Sequence, residues 1–457
     1  MNSIHRFAYD FLSKLTELSL PEEGLTSYLE KAMDLFQSDL LAFVSDQIRE
    51  MDCCLASRAD LRPGWHVFKG PVARTLETKW GTLRFSRRYY RHQETGEYAH
   101  LVDRALEVRK YARMEDGLVA SLGASACTHS YQTAAQEEAG GRISRMSVHK
   151  AIGSLRVPML PPRQPRRVCR ELHLQADEDH VHLQKSRKKS GQIRLVAIHE
   201  PKIEVGVGRY ALVQRELMSS VQEAPEAFWW RVLDRLDAIY DMSQVERIYL
   251  HGDGASWIRA GLDIIPGSVF ILDGFHLERA LSRLCAGQAG LKSRIRSCLY
   301  PWNEQRLNRE IQMLVDSCVC HEQTAKETLR VFCSQREGIE NHYRLEHGGS
   351  CAEGLVSHVL SKRFSRDPLG WSIKSLRSLS ALRIYQLNGG VIDRRLLSSE
   401  KSEPTPEVGW VDVVCKDQKR KRQEAMSEWQ VMIPGSENTG SPLGGWLKGL
   451  KQGGYGN

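Results

Sequence analysis

The stretch Tyr249-Leu250-His251-Gly252-Asp253-Gly254-Ala255-Ser256-Trp257-Ile258, followed by Phe270-Ile271-Leu272-Asp273-Gly274-Phe275-His276-Leu277-Glu278-Arg279, decides how the rest of the chain is read. Each half is an apolar run that ends in Asp-Gly and passes into a helical pattern. Two carboxylates are therefore expected at the carboxyl edges of neighbouring strands, where open α/β sheets place their chemistry. One Asp-Gly is ordinarily a turn or a helix cap. Two in succession call for a further reason.

Working outward, Leu172-His173-Leu174-Gln175-Ala176-Asp177-Glu178-Asp179-His180-Val181-His182-Leu183 alternates as a strand at both ends and carries three acids at its centre. Mutual repulsion and desolvation make that costly unless something positive neutralises them, as a metal ion does. Ile193 to His199 and Tyr210 to Met218 complete a three-stranded meander. An amphipathic helix follows over 224–240, with Phe228, Trp229, Val232, Leu233, Leu236 and Ile239 in helical spacing. Then come the strand Val245 to Leu250, a helix from Ala255 to Leu262, the strand Val269 to Leu272 and a helix from His276. Three strands, a helix, a strand, a helix and a strand predict an α/β fold with an RNase H-like mixed sheet as catalytic core. In that arrangement carboxylates at one edge of the sheet hold two divalent ions, and a third acid comes from a later helix. Glu353, in Cys351-Ala352-Glu353-Gly354-Leu355-Val356-Ser357-His358, is the candidate. Ser350 as N-cap with Glu353 three residues on would also make a capping box, a purely structural use of the same carboxylate.

The segments expected on this basis are a helical region over 1–62, a small β element over 63–110 and a helix-turn-helix unit over 111–157. A linker rich in Pro and Arg over 158–170 separates them from the core, which occupies 171–280 and 346–395 around an all-α insertion at 281–345. A flexible basic and Gly-rich tail fills 396–457. In the β element, Arg87-Arg88-Tyr89-Tyr90 offers a basic, aromatic strand that could pair with phosphates and stack on bases. Ser130 to Glu138, the Gly140-Gly141 break and Ile143 to Ile152 form the helix-turn-helix pattern, with Arg145, Ser147, His149 and Lys150 near the start of the second helix as DNA contacts. Lys185, Arg187, Lys188 and Lys189, in the turn after the acidic strand, either hold a phosphate backbone or form a solvated hairpin tip.

Lys and Arg number 64 against 56 Asp and Glu, a net charge of +8 that permits a polyanionic partner without demanding one. No apolar run reaches the roughly 18 to 20 residues of a membrane span, and the amino terminus lacks the order of a signal peptide, so a cytoplasmic, nucleoid-associated protein is expected. The 11 cysteines have no framework spacing, and Cys318, Cys320, His321 and Cys333 lack the paired knuckles of a zinc site.

Four motifs in order, Ala176-Asp177-Glu178-Asp179-His180-Val181, Gly252-Asp253-Gly254-Ala255-x-Trp257-Ile258, Leu272-Asp273-x-Phe275-His276-Leu277 and Cys351-Ala352-Glu353-Gly354-x-Val356-Ser357-His358, resemble the ISLre-type insertion-sequence transposases, a family of uncharacterised transposase-like proteins. The resemblance runs from Arg87 to about Asn388. It implies a DDE transposase that binds terminal inverted repeats of a bacterial insertion sequence and catalyses strand cleavage and strand transfer on double-stranded DNA, acting as a homo-oligomer. It also implies Asp177, Asp253 and Glu353 as catalytic and metal-binding triad, with 76 and 100 residues between successive members. Asp179 remains the alternative first acid, because positions i and i+2 of a strand share a face. Asp273 and His276 are assigned near the site, behind the ligands or at the DNA end, with helix capping as the competing role of Asp273. Hard oxygen ligands call for two Mg²⁺ or Mn²⁺ ions. A catalytically inactive or domesticated DNA-binding descendant and a nuclease of the same fold are the alternatives.

Overall fold

The computed structural model describes residues 3–19, 24–161, 164–184, 189–367, 369–397, 411–417, 419–420 and 423–424. The chain divides into two compact units, Met1–Val119 with Ala135–Ser144 and Ser398–Asn457, and Ala120–Ala134 with Arg145–Leu397. No helix among the described residues is long and apolar enough to cross a membrane.

In the first unit, helices α1 (Ser3–Thr16) and α2 (Leu25–Ser57) precede a three-stranded sheet of β1 (Trp65–Thr78), β2 (Gly81–His92) and β3 (Tyr98–Ala99), followed by the short α3 (Leu101–Ala105). The period-2 pattern of β2 buries Leu83 and Phe85, and Tyr90 is fully enclosed. The basic strand expected to meet DNA is committed internally. Arg87 and Arg74 both pair with the buried Asp103, and Arg88 binds Asp52 of α2 through its amide at 2.9 Å and its guanidinium at 2.6 Å. Those partners lie far away in sequence, which is why the strand alone reads as a free cationic face.

Helices α4 (Asp116–Ala126), α5 (Tyr131–Ala139) and α6 (Arg145–Ser154) form the expected helical run, within which the division between the units falls. Gly140 and Gly141 take φ of 54° and 74°, a left-handed turn that side-chain-bearing residues resist.

The second unit is a mixed α/β structure built on β4 (Glu171–Leu183), β5 (Ser190–Gly206), β6 (Arg209–Val221), β7 (Arg247–Gly252), β8 (Ser268–Leu272) and β9 (Gly370–Trp371). The strands lie in the order β6-β5-β4-β7-β8, antiparallel through β6, β5 and β4 and parallel from β4 to β8. Along the edge that faces β7, the β4 ladder runs from Glu171 to Gln175, stops, and resumes at His182 and Leu183 with β9 as partner. One face of the sheet carries Leu172, Leu174, Ala176, Ile248 and Leu250 into an apolar core with α7 (Pro225–Ile239) and α8 (Ser256–Ile264). Trp229 of α7 is fully buried and donates to the Trp257 carbonyl at 2.6 Å, and a Cβ on Gly261 would lie 2.6 Å from its ring, so that position has room only for glycine.

After α9 (Gly274–Leu284), the helical stretch resolves into α10 (Ala289–Leu299), α11 (Glu304–Asp316), α12 (Glu322–Ser334) and α13 (Arg336–Arg344). α13 lies against β8 itself: Asn341 donates to the Phe270 carbonyl at 3.0 Å, and a Cβ on Gly338 would come within 2.4 Å of the Phe270 ring. The chain closes through α14 (Ala352–Val356), a π-helical turn over Ser357–Ser361, α15 (Lys362–Phe364), β9 and α16 (Ile373–Leu387).

Candidate active site

Parallel pairing fixes the first two acids. Gln175 of β4 is the register partner of His251 of β7, and Asp177 and Asp253 each lie two residues beyond that pair. Strands spaced about 4.8 Å apart therefore bring the two carboxylates to one level of the sheet, at the place where the β4 ladder is interrupted. Gly252 permits the close approach, since a Cβ there would sit 3.0 Å from the Ala176 carbonyl.

Asp177 is 8% exposed; its Oδ1 accepts the Glu178 amide at 2.8 Å, and its Oδ2 is buried with no hydrogen-bond partner. Burial pushes its carboxyl up to about 7; Asp253 and Glu353 push the same way, while the Glu178 amide and His276 pull it down. The three acids and His276 thus share one electrostatic neighbourhood. Asp253 Oδ1 accepts the Ala255 amide at 2.8 Å, which fixes the turn into α8.

Asp179 has a different environment. Its Oδ1 accepts from Ser365 at 2.9 Å, its carboxyl is raised by burial and lowered by Ser365 and Ser361, and neither Asp253 nor Glu353 figures among its main influences.

Glu353 lies in the first turn of α14 on an exposed position, and the expected capping box does not form. Cys351 is the N-cap residue, while Ser350 donates to Gln175 Oε1 at 3.0 Å, as does the Cys351 amide at 3.1 Å. Lys202 of β5 donates to the carbonyls of Gly348 and Gly349 at 3.0 and 2.7 Å. These bonds deliver the Glu353 segment to β4, two residues from Asp177. The π-helical turn follows at once, and the buried Arg383 donates to the carbonyls of Val359, His358 and Cys127.

Asp273 caps α9 by accepting the Phe275 amide at 2.9 Å, and its Oδ2 lies 3.3 Å from His276 Nδ1. The helix-capping role weighed for it is the one these contacts realise. Burial drives the Asp273 carboxyl upward, but His276 and the Phe275 amide outweigh it and hold it below its ordinary value. The bond to Asp273 raises the His276 imidazole, burial opposes, and the charges of Asp253 and Asp177 add to the rise.

A polar layer not foreseen from the sequence lies on the same face of β4 as Asp177. His173 Nδ1 lies 3.1 Å from His251 Nε2, Gln175 Nε2 lies 3.1 Å from His199 Nε2, and the rings of His173 and His199 stack at 4.9 Å. Burial drives the imidazoles of His173 and His199 down to about 4 and that of His251 well below its ordinary value. With the imidazoles driven that low, the layer adds no charge beside Asp177 near neutral pH. Its trace in the sequence is the alternation of His173, Gln175, Asp177 and Asp179 against Leu172, Leu174 and Ala176.

The carboxylate oxygens and the unpartnered Oδ2 of Asp177 fit a hard divalent cation. In the present conformation, no three His, Cys, Asp or Glu side chains among the described residues are grouped closely enough to hold one. Cys318 and Cys333 are exposed and Cys320 is half-buried.

Of the expected DNA contacts, Arg145 and Lys150 are exposed on α6, Ser147 is half-buried, and His149 turns inward, with Nε2 2.7 Å from Ser375 Oγ. Lys189 is exposed, while Lys185, Arg187 and Lys188 lie outside the described residues.

Residues 19–401 match the uncharacterised protein family UPF0236. The chain belongs to that family. Relatives in Caldanaerobacter subterraneus subsp. tengcongensis are UPF0236 proteins; one is 32% identical over 347 residues, covering 75% of this chain and 73% of its own, and another is 32% identical over 347 residues, covering 75% and 70%. A third, 31% identical over 349 residues and covering 75% and 73%, bears a name that joins eleven locus designations of that organism.

Proposed function

We propose that this UPF0236 protein is a DDE transposase with an RNase H-like core, cutting and joining DNA strands at the ends of its own element. The observation that carries the reading is the register placement of Asp177 beside Asp253, with Asp177 buried, one oxygen unpartnered, and Glu353 within its electrostatic reach. The sheet order β6-β5-β4-β7-β8, antiparallel then parallel, is the one expected of that core. A relative whose name joins eleven loci of one organism supports a coding sequence that multiplies within a genome.

Asp177, Asp253 and Glu353 would hold Mg²⁺ or Mn²⁺, which when bound supplies the Lewis acidity that phosphoryl transfer needs. The protein's own residues do the rest. Asp253 holds the turn into α8 through the Ala255 amide, which fixes its carboxylate at the carboxyl end of β7. Gln175 and Lys202 hold the segment that brings in Glu353. His276, whose protonated form is favoured by the bond to Asp273, would in that form moderate the repulsion among the acids. Arg145, Lys150 and Lys189 are exposed for the DNA backbone.

The test is a strand-transfer reaction with labelled DNA that carries the sequences flanking the coding region, with Mg²⁺ or Mn²⁺. Joined products are expected. Cleavage without joining would instead mark a nuclease, and binding without either a DNA-binding descendant. Asp253→Asn should keep DNA binding and lose cleavage, and cleavage at the wild-type rate would remove the assignment.

A further inference from the structure

A cavity of about 210 Å³ lies between α6 and the first turns of α16. Lys150, His149 and Ser154 line it from α6, and Lys374, Ser375 and Ser378 from α16, with no Asp or Glu in its wall. Neither Lys150 nor Lys374 has a carboxylate partner among the described residues, and both are exposed at the mouth. His149 Nε2 meets Ser375 Oγ at 2.7 Å, while its Nδ1 is buried with no hydrogen-bond partner. Ser372 caps α16 by accepting the Ser375 amide at 3.1 Å.

Two ammonium groups, an unsatisfied imidazole nitrogen, the Ser378 hydroxyl and a helix amino terminus favour an anion with several acceptor oxygens, while Ser154 is bonded to the Ala151 carbonyl at 2.6 Å and Ser375 to His149 and Ser372. Pockets for drug-sized ligands begin near about 300 Å³, so this one has room for a small anionic group and not for a whole nucleotide. We propose that the cavity between α6 and α16 is a phosphate-binding site, formed by Lys150, Lys374, His149 and Ser378. The phosphate is a backbone phosphodiester of DNA or free inorganic phosphate. The site stands without the transposition reading; only its DNA source rests on it.

Gly153 supplies a clean test. It lines the cavity, and a Cβ there meets nothing within 4 Å, so Gly153→Glu fits the helix while placing a carboxylate in the site. Wild type, Gly153→Glu and the double variant Lys150→Ala, Lys374→Ala are compared as full chains in two assays. The first measures affinity for a random-sequence duplex by anisotropy over a series of KCl concentrations. One lost phosphate contact makes the plot of log affinity against log salt shallower by about 1, the change expected of both variants. The second measures the rise in Tm with inorganic phosphate against chloride at equal ionic strength, expected for wild type and absent from both variants. Shallower slopes assign the phosphate to DNA, with or without the Tm response. A Tm response lost in the variants with unchanged slopes assigns it to free phosphate. Equal slopes in all three proteins, with no Tm response that separates wild type from Gly153→Glu, overturn the proposal. Failure of the transposition reading would show elsewhere, as wild type that binds DNA with the full slope and never cuts it.

Discussion

Asp177→Asn should stabilise the metal-free protein at pH 8 while leaving it nearly unchanged at pH 4. The wild-type carboxyl has an ordinary value of 3.8 and is pushed up to about 7 in the folded chain, by burial first and by Asp253 and Glu353 after it. Between those values the folded protein keeps a proton that the unfolded chain has released. Stability is therefore fully present below pH 3.8 and is lost as pH rises through 7. At about 1.4 kcal/mol for each pH unit, the interval sets a ceiling of about 4 kcal/mol. Asparagine keeps the acceptor that meets the Glu178 amide and has no charge to desolvate. It therefore stands close to the protonated acid, within about 1 kcal/mol at pH 4. At pH 8 the variant should exceed wild type by between about 1 and 4 kcal/mol. Urea denaturation in EDTA at pH 4, 6 and 8, followed by tryptophan fluorescence, reads the difference directly. Parallel pH profiles for the two proteins would refute the claim that Asp177 carries a buried, uncompensated charge. In saturating Mg²⁺ the advantage of the variant should shrink, because an ion bound by wild type stabilises only wild type.

Asp179→Asn keeps the acceptor for Ser365 and should retain metal-dependent cleavage, whereas equal loss in Asp179→Asn and Asp177→Asn would move Asp179 into the triad. Gln175→Ala releases Ser350 and the Cys351 amide from β4 and should lower the cleavage rate about tenfold or more, with duplex affinity unchanged; a wild-type rate would mean that Glu353 is placed by other contacts. His276→Gln removes the imidazole whose protonated form lowers Asp177, so the loss of stability with rising pH should extend to higher pH than in wild type, and an unmoved midpoint in the same urea series would show that the imidazole does not act on Asp177. Gly261→Ala should cost about 1 to 3 kcal/mol through overlap with the Trp229 ring, which an unchanged urea midpoint would disprove.

The strands and helices of the second unit were legible because burial imposes period 2 and period 3.6 on neighbouring residues. The Asp-Gly turns at 253 and 273 ended strands as expected, and Glu353 opens a helix. What the sequence hid depends on partners distant along the chain. Arg87 and Arg88 read as a nucleic-acid face until Asp103 and Asp52 come into view. Ser350 reads as a cap until Gln175 takes its hydroxyl. The imidazoles of His173, His199 and His251 look like scattered histidines, because only the pairing of β4 with β5 and β7 stacks them. Asp177 and Asp179 are equivalent by alternation, and they part company only through Ser365 on one side and Asp253 on the other.

The break in the β4 ladder bears on how such a protein tolerates change in length. Asp177 and Asp253 are locked to each other by the same register that pairs Gln175 with His251, so insertion or deletion within either strand ahead of its acid would separate them. Glu353 obeys no register. It arrives on a segment held by Gln175 and Lys202, after which the chain pairs with β4 again only at His182, on the far side of the break. The helices between β8 and α14 are tied to the sheet by core packing, with Asn341 and Gly338 of α13 set against Phe270, and not by strand register. Register thus fixes the two residues that separate Gln175 from Asp177 and His251 from Asp253, and it places no such constraint on Glu353.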